Sequence, residues 1–249
     1  GSAKYLGSLG FQALATTSGG FAFSKGLPDG QDGVTRDQML AHIAEIAAVA
    51  GLPVNADFQS GYADDLEDLG ENVKLCVETG VSGLSIEDAT GDGVTPLFEL
   101  SHAAERVRAA RRALDEGGKG VLLTARAECY LVNHPDALRE SLRRLTAYAE
   151  AGADVLYAPG VTDAREIQQI VAAVQPTPVN VLMSSNTGLR VTDLADLGVR
   201  RISVGSSLAR TAWTGFIKAA KEIAGQGAFG GFDGIAPFHE LNSFFQNHR

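Results

Sequence analysis

Seven short apolar segments punctuate this chain, most of them closing on a charged or hydroxylated residue. They fall at 13–18, 53–57, 83–88, 121–126, 155–157, 178–182 and 201–205, roughly 25 to 40 residues apart, and helix-like patterns fill most of the gaps. Strand alternating with helix predicts a parallel sheet with helices on its outside. An α/β barrel keeps its chemistry at the carboxyl ends of such strands. Asp57, Glu87 and Arg126 close three of the segments, so they are expected on one rim around one pocket.

The intervening helices are read at 35–50, 66–79, 101–116, 136–151, 163–174, 191–197, 207–224 and 237–247. Thr35 can cap the first of these, with Gln38 at the capping-box position and Leu40, Ile43, Ile46 and Ala47 forming its apolar stripe. Gly80 can close the second as a C-cap. A closed barrel of this kind has eight strands, and the sequence offers seven. Residues 3–10 read as the end of a first helix leading into a second strand. The expectation is therefore a (β/α)8 barrel, single-domain over 1–249 with a C-terminal helical extension, whose first strand lies upstream of Gly1.

A formal net charge of -9 with no basic block argues against nucleic acid as the main partner. Cys76 and Cys129 make neither a metal motif nor a disulfide framework, which points to a reducing cytoplasm. No apolar stretch is long enough to span a bilayer, so no membrane partner is expected.

Strand side chains alternate, so Asn55 shares a face with Asp57, Ser85 with Glu87, and Thr124 with Arg126 and Glu128. If these faces point inward, the upper barrel holds carboxylates, an amide, hydroxyls and a guanidinium. A divalent cation beside the carboxylates and an anionic substrate on Arg126 would balance the charges. Oxygen donors without a histidine cluster suit Mg2+, or Mn2+, better than zinc. The alternative is that Arg126 bridges Glu87 or Asp57 for structure alone. No strand ends in lysine, which disfavours a Schiff-base aldolase. His42 and His102 fall on helices and are expected at the surface, and Cys129 is expected as a buried, inert thiol. Ser18-Gly-Gly20 can present backbone N–H groups to an anion, Gly26-Leu-Pro-Asp29 can bring Asp29 back over the rim, and 89–96 has the composition of a mobile lid.

Together these residues resemble the isocitrate lyase and phosphoenolpyruvate mutase superfamily. The matching pieces are Gly10-Phe-Gln-Ala-Leu14, Thr17-Ser-Gly-Gly20, Gly26-Leu-Pro-Asp29, Leu52-Pro-Val-Asn-Ala-Asp57, Gly61-Tyr62, Ile86-Glu-Asp88, Ala125-Arg126, Tyr148-Ala-Glu-Ala-Gly-Ala153 and Pro178-Val-Asn-Val181. The resemblance implies a barrel whose last helix is exchanged between subunits of a homodimer or homotetramer. It also implies Mg2+ and a small carboxylate substrate reacting through an enolate-like state. By position, Asp57 and Glu87 would hold the metal, with Asn55 beside them. Thr17, Ser18 and Gly19 would bind the substrate's carboxylate end, Arg126 would clamp an anionic group, and Asp29 would help close the site. Two departures stand out. Asn55 stands where the family carries a metal carboxylate, and the loop after Glu87-Asp88 lacks the cysteine, lysine and histidine of the isocitrate-cleaving lyases. The expected activity is cleavage of a C–C bond next to a 2-oxo or 2-hydroxy carboxylate. C–P chemistry on a phosphonopyruvate-like acid and non-catalytic dicarboxylate binding are the alternatives.

Overall fold

The computed structural model describes residues 1–30 and 33–248. Its seven strands are β1 (Leu14–Ala15), β2 (Val54–Asp57), β3 (Gly83–Glu87), β4 (Leu122–Arg126), β5 (Val155–Tyr157), β6 (Val179–Leu182) and β7 (Arg201–Ser203). All neighbours pair in parallel and in chain order, β1 to β7. This is the expected barrel topology, with β1 and β7 as the sheet's two ends among the described residues.

The helices are α1 (Ser2–Ser8), α2 (Ser18–Ser24), α3 (Arg36–Ala50), α4 (Leu66–Glu78), α5 (Leu100–Gly117), α6 (Ala137–Glu150), α7 (Ala164–Val174), α8 (Val191–Asp196), α9 (Ser207–Gln226) and α10 (Phe238–Asn247). Local chemistry sets their ends. Thr35 and Gln38 form the anticipated capping box on α3, and Gly51 closes that helix in the left-handed conformation at φ 62°. Asp65 and Asp163 each accept two backbone N–H bonds at the starts of α4 and α7.

Alternation along the strands divides the interior in two. Outward-facing Leu84, Leu123 and Leu156 are fully buried and join Leu69, Val73, Leu145 and Ile167 of the helices in one apolar cluster. Inward-facing residues are mostly polar. Register then sets side chains abreast: Glu87 pairs with Arg126, Arg126 with Tyr157, Tyr157 with Asn180 and Asn180 with Arg201.

Three expectations need correction. The first segment, read at 13–18, is a strand only over Leu14–Ala15. Ser18-Gly-Gly20 is the first turn of α2 and not a loop, because the Thr17 side chain caps it by accepting the Gly20 N–H at 3.3 Å. Nor is His42 at the surface: it is half-buried and stacks on Phe21 at a 3.9 Å ring separation.

The C-terminal helices stand apart from the barrel core. Neither α9 nor α10 has a buried residue. The end of α10 returns to α1, where Phe244 packs on Tyr5 at 4.9 Å and Lys4 donates to the His248 carbonyl. Leu208, Trp213, Phe216 and Phe238 remain exposed.

Candidate active site

Arg126 closes β4 and is the hub of the rim. Its Nη1 donates to Asp57 at 2.9 Å, its Nη2 pairs with Glu87 at 3.0 Å, and its Nε donates to Glu128 at 2.8 Å. The β3–β4 register sets Glu87 directly beside it. Asp57 reaches it from β2, which also faces the barrel interior. Glu128 comes from the short 3-10 turn Glu128–Tyr130 just past β4. Three carboxylates thus surround one guanidinium, in a region where each ion-paired side chain is at most 17% exposed.

The electrostatics follow from that imbalance. Burial pushes the Glu87 carboxyl up to about 8 despite the pull of Arg126, and Glu128, Asp57 and Asp88 push the same way. Burial raises Glu128 as well, again against Arg126. Arg126 itself is held well above the usual guanidinium value, its burial outweighed by Glu128, Glu87 and Asp57.

The other expected residues converge on the same rim. The Ser18 N–H donates to the second Asp57 oxygen at 2.9 Å, tying the start of α2 to β2. Gly19 lies under Asp29, so closely that a Cβ there would come within 2.8 Å of the Asp29 carboxylate. A larger residue there would push the Asp29 carboxylate aside. Burial raises the Asp29 carboxyl above its ordinary value, the Ser18 side-chain hydrogen bond opposes this, and Asp57 adds to it. Ser18, Gly19, Asp29, Asp57, Glu87 and Arg126 therefore form one constellation, while the Thr17 side chain is spent on the α2 cap.

Asn55 sits differently. It lies one inward step before Asp57 on β2, and its Oδ1 accepts from Arg201 at 3.3 Å and from Thr124 at 3.5 Å. The amide oxygen that the sequence offered to a cation is engaged by the layer beneath the rim.

Sequence reasoning left Glu128 out of the site, although its alternation with Arg126 was visible. It also missed Asp88. That buried carboxylate accepts from Tyr148 at 2.5 Å, from Arg144 at 2.9 Å and from the Glu128 N–H at 2.8 Å. Asp88 thereby fixes the turn that aims Glu128 at Arg126. The signal was present in Tyr148 and Arg144, one helical turn apart on α6 and on one face. The loop at 89–96 is closed by its own hydrogen bonds: the Thr90 N–H donates to the Pro96 carbonyl at 3.0 Å, and Asp92 accepts from Val94 and Thr95 at 2.8 Å each. Cys129 is buried and its thiol is pushed up to about 11, as expected of an inert group.

The donor set bears on a metal. Among the described residues, no three acidic, imidazole or thiolate groups converge into a ready-made cage. Asp57, Glu87 and Glu128 nevertheless outnumber the single Arg126. All-oxygen donors suit a hard divalent cation, which would compete with the protons that burial favours on Glu87 and Glu128.

Comparison with known proteins places the chain in a family. The phosphoenolpyruvate phosphomutase family profile matches residues 1–224. The chain belongs to the phosphoenolpyruvate mutase/isocitrate lyase superfamily. A Burkholderia cenocepacia J2315 structure described as a candidate lyase/mutase superposes with a TM-score of 0.94 at 46% identity, covering 98% of this chain and 87% of the other. The 2-methylisocitrate lyase of Escherichia coli is 32% identical over 191 residues, 74% of this chain and 63% of the lyase. An oxaloacetate decarboxylase of Ectopseudomonas mendocina is 31% identical over 178 residues, 69% of this chain and 59% of that enzyme. The chain thus spans under two thirds of these two enzymes. As a superfamily member its homologues are lyases, decarboxylases and mutases, and among its described residues no helix is long and apolar enough to cross a membrane.

Proposed function

We infer that this protein is a Mg2+-dependent lyase acting next to a 2-oxo or 2-hydroxy carboxylate, with an oxaloacetate-like diacid as substrate. The observation that carries this reading is the charge imbalance at the rim: three buried carboxylates on one guanidinium, with Glu87 held up to about 8. Asp57 and Glu87 would hold the cation, whose chemistry there is electrostatic stabilisation of developing enolate charge. The protein's own groups do the rest. Arg126 keeps Asp57, Glu87 and Glu128 in a fixed array. Ser18 orients Asp57 through its N–H, and Thr17, Ser18 and Gly19 bring the start of α2 to the substrate's carboxylate end. Asp29, whose carboxyl burial raises above its ordinary value, would help close the site over that end. Loss of CO2 demands least of the loop at 89–96, which has no cysteine, histidine or lysine.

The decisive assay is Mg2+-dependent turnover of oxaloacetate, methylisocitrate, dimethylmalate and phosphonopyruvate, with oxalate as inhibitor. Tight oxalate inhibition together with oxaloacetate turnover supports the reading. Efficient methylisocitrate cleavage, or no turnover of any member of the panel, counts against it. Arg126→Lys should lose at least a hundredfold in kcat/KM, because lysine cannot span three carboxylates in a fixed plane. The phosphoenolpyruvate phosphomutase profile favours C–P chemistry as the second reading, and phosphonopyruvate turnover alone would select it. A barrel that binds a small dicarboxylate without turnover would show oxalate binding and no product. The reading extends to an exchanged C-terminal helix in a homodimer or homotetramer, supported by the exposed Trp213 and Phe216 on α9. The cytoplasm is its proposed location, in keeping with two buried free thiols.

A further inference from the structure

The turn that follows Asp57 carries two non-glycine residues in the left-handed region, Gln59 at φ 48° and Tyr62 at φ 54°. Side chains of this size rarely adopt that backbone, and such outliers persist only where their surroundings fix them. Here the surroundings fix every carbonyl from 58 to 64. The Phe58 carbonyl accepts from the Gly61 N–H at 2.9 Å, and the Gln59 carbonyl accepts from the Glu87 N–H at 3.0 Å. Arg106 on α5, 1% exposed, donates to the carbonyls of Ser60, Ala63 and Asp64 at 2.5, 2.8 and 3.1 Å. Asn72 on α4, 4% exposed, donates to those of Gly61 and Tyr62 at 3.0 and 2.9 Å. Surface turns ordinarily leave such carbonyls to water. Burying a guanidinium to hold them is costly, and burial pulls Arg106 below its usual value.

What this turn presents is Gln59. Its side chain hydrogen-bonds the Asp29 carboxyl, and Ser18 hydrogen-bonds the same group from α2. We propose that Gln59 is a positioning residue, which holds Asp29 over the rim from a turn that Arg106 and Asn72 keep in shape. This rests on the reading of Asp29 as the group that closes the site. The Gln59 carbonyl ties the turn to the end of β3 through the Glu87 N–H, so Asp29 is placed relative to Glu87 as well as to Asp57. Asn72 in turn accepts from Arg36 of α3 at 2.9 Å, so three successive helices brace the turn. A flexible turn would let Asp29 swing with its own loop. A braced one gives it a fixed point to close against, which is preorganisation of the site.

Gln59→Gly and Gln59→Asn test this. Glycine and asparagine accept the left-handed backbone, so both variants should melt at or near the wild-type temperature. The shorter asparagine amide falls one methylene short of Asp29. Losing the hydrogen bond removes a donor from the ionised form of Asp29, so its carboxyl should titrate higher in Gln59→Gly by carboxyl-carbon NMR, with Asp29→Asn identifying the signal. With oxaloacetate, kcat/KM should fall about tenfold in both variants, the value of one hydrogen bond to a charged group. Asp29→Asn combined with Gln59→Gly should be no slower than Asp29→Asn alone, because the two residues act as one unit. An Asp29 titration unchanged in Gln59→Gly, or losses that add in the double variant, overturns the proposal. If the Asp29 titration follows Gln59 but oxaloacetate is not turned over, the positioning contact stands and the lyase reading fails. If both Gln59 variants turn over oxaloacetate with wild-type kinetics, the lyase reading stands and the proposal for Gln59 fails.

Discussion

Replacing Glu87 with glutamine isolates the charge that the barrel interior holds at the greatest cost. The folded protein moves this carboxyl from its ordinary 4.5 up to about 8, chiefly by burial. Between those values the folded state keeps a proton that the unfolded chain has released. The unfolded state then binds fewer protons, so stability must fall as pH rises through this window. At ~1.4 kcal/mol per pH unit the ceiling of the loss is ~5 kcal/mol. For a chain of this size each kcal/mol moves the melting temperature by about 2–4 °C. Glu87→Gln keeps the shape and removes the titration. In the variant the contact to Arg126 no longer depends on pH, so the slope is the diagnostic quantity. Melting curves with chelator at steps from pH 5 to 9 should decline steeply for the wild type and much less for the variant. Added Mg2+ should flatten the wild-type curve by displacing the proton. Identical slopes for the two proteins would refute the reasoning, since Glu87 would then be ionised throughout.

The remaining predictions concern the neighbours of that charge and the assembly. Asp57→Asn should abolish Mg2+ binding by calorimetry while retaining an acceptor for the Ser18 N–H, so the melting temperature should drop only modestly. Unchanged metal binding would remove Asp57 from the ligand set. Asn55→Asp places a carboxylate about 3 Å from Arg201. It should therefore raise Mg2+ affinity less than tenfold, whereas a larger gain in affinity would mean that Asn55 faces the cation. The exposed apolar residues of α9 predict an oligomer, checked by solution mass at micromolar concentration, and a monomer would count against the exchanged helix.

Periodicity and end chemistry made most of this architecture legible from sequence. The capping box at Thr35 and Gln38 and the alternation through Asn55-Ala-Asp57 and Thr124-Ala-Arg126 are local, and local interactions are written in adjacent residues. Helix α2 was missed because two glycines in its first turn lower its propensity, while the Thr17 cap that sets it is a single side-chain contact. Asp57, Glu87 and Arg126 could be named in advance because each ends a strand on the inward face. That Arg126 bridges Glu87 or Asp57 was one of the alternatives the residues offered; that it holds both at once, with Glu128 as a third partner, depends on the register of β3 against β4 and on the turn that Asp88, Arg144 and Tyr148 hold in place. The sequence by itself determined which residues face inward and what charge they carry. Only the tertiary structure decided which side chains meet, because residues as far as 146 apart in the chain come within hydrogen-bond distance only when the sheet curls round a shared interior.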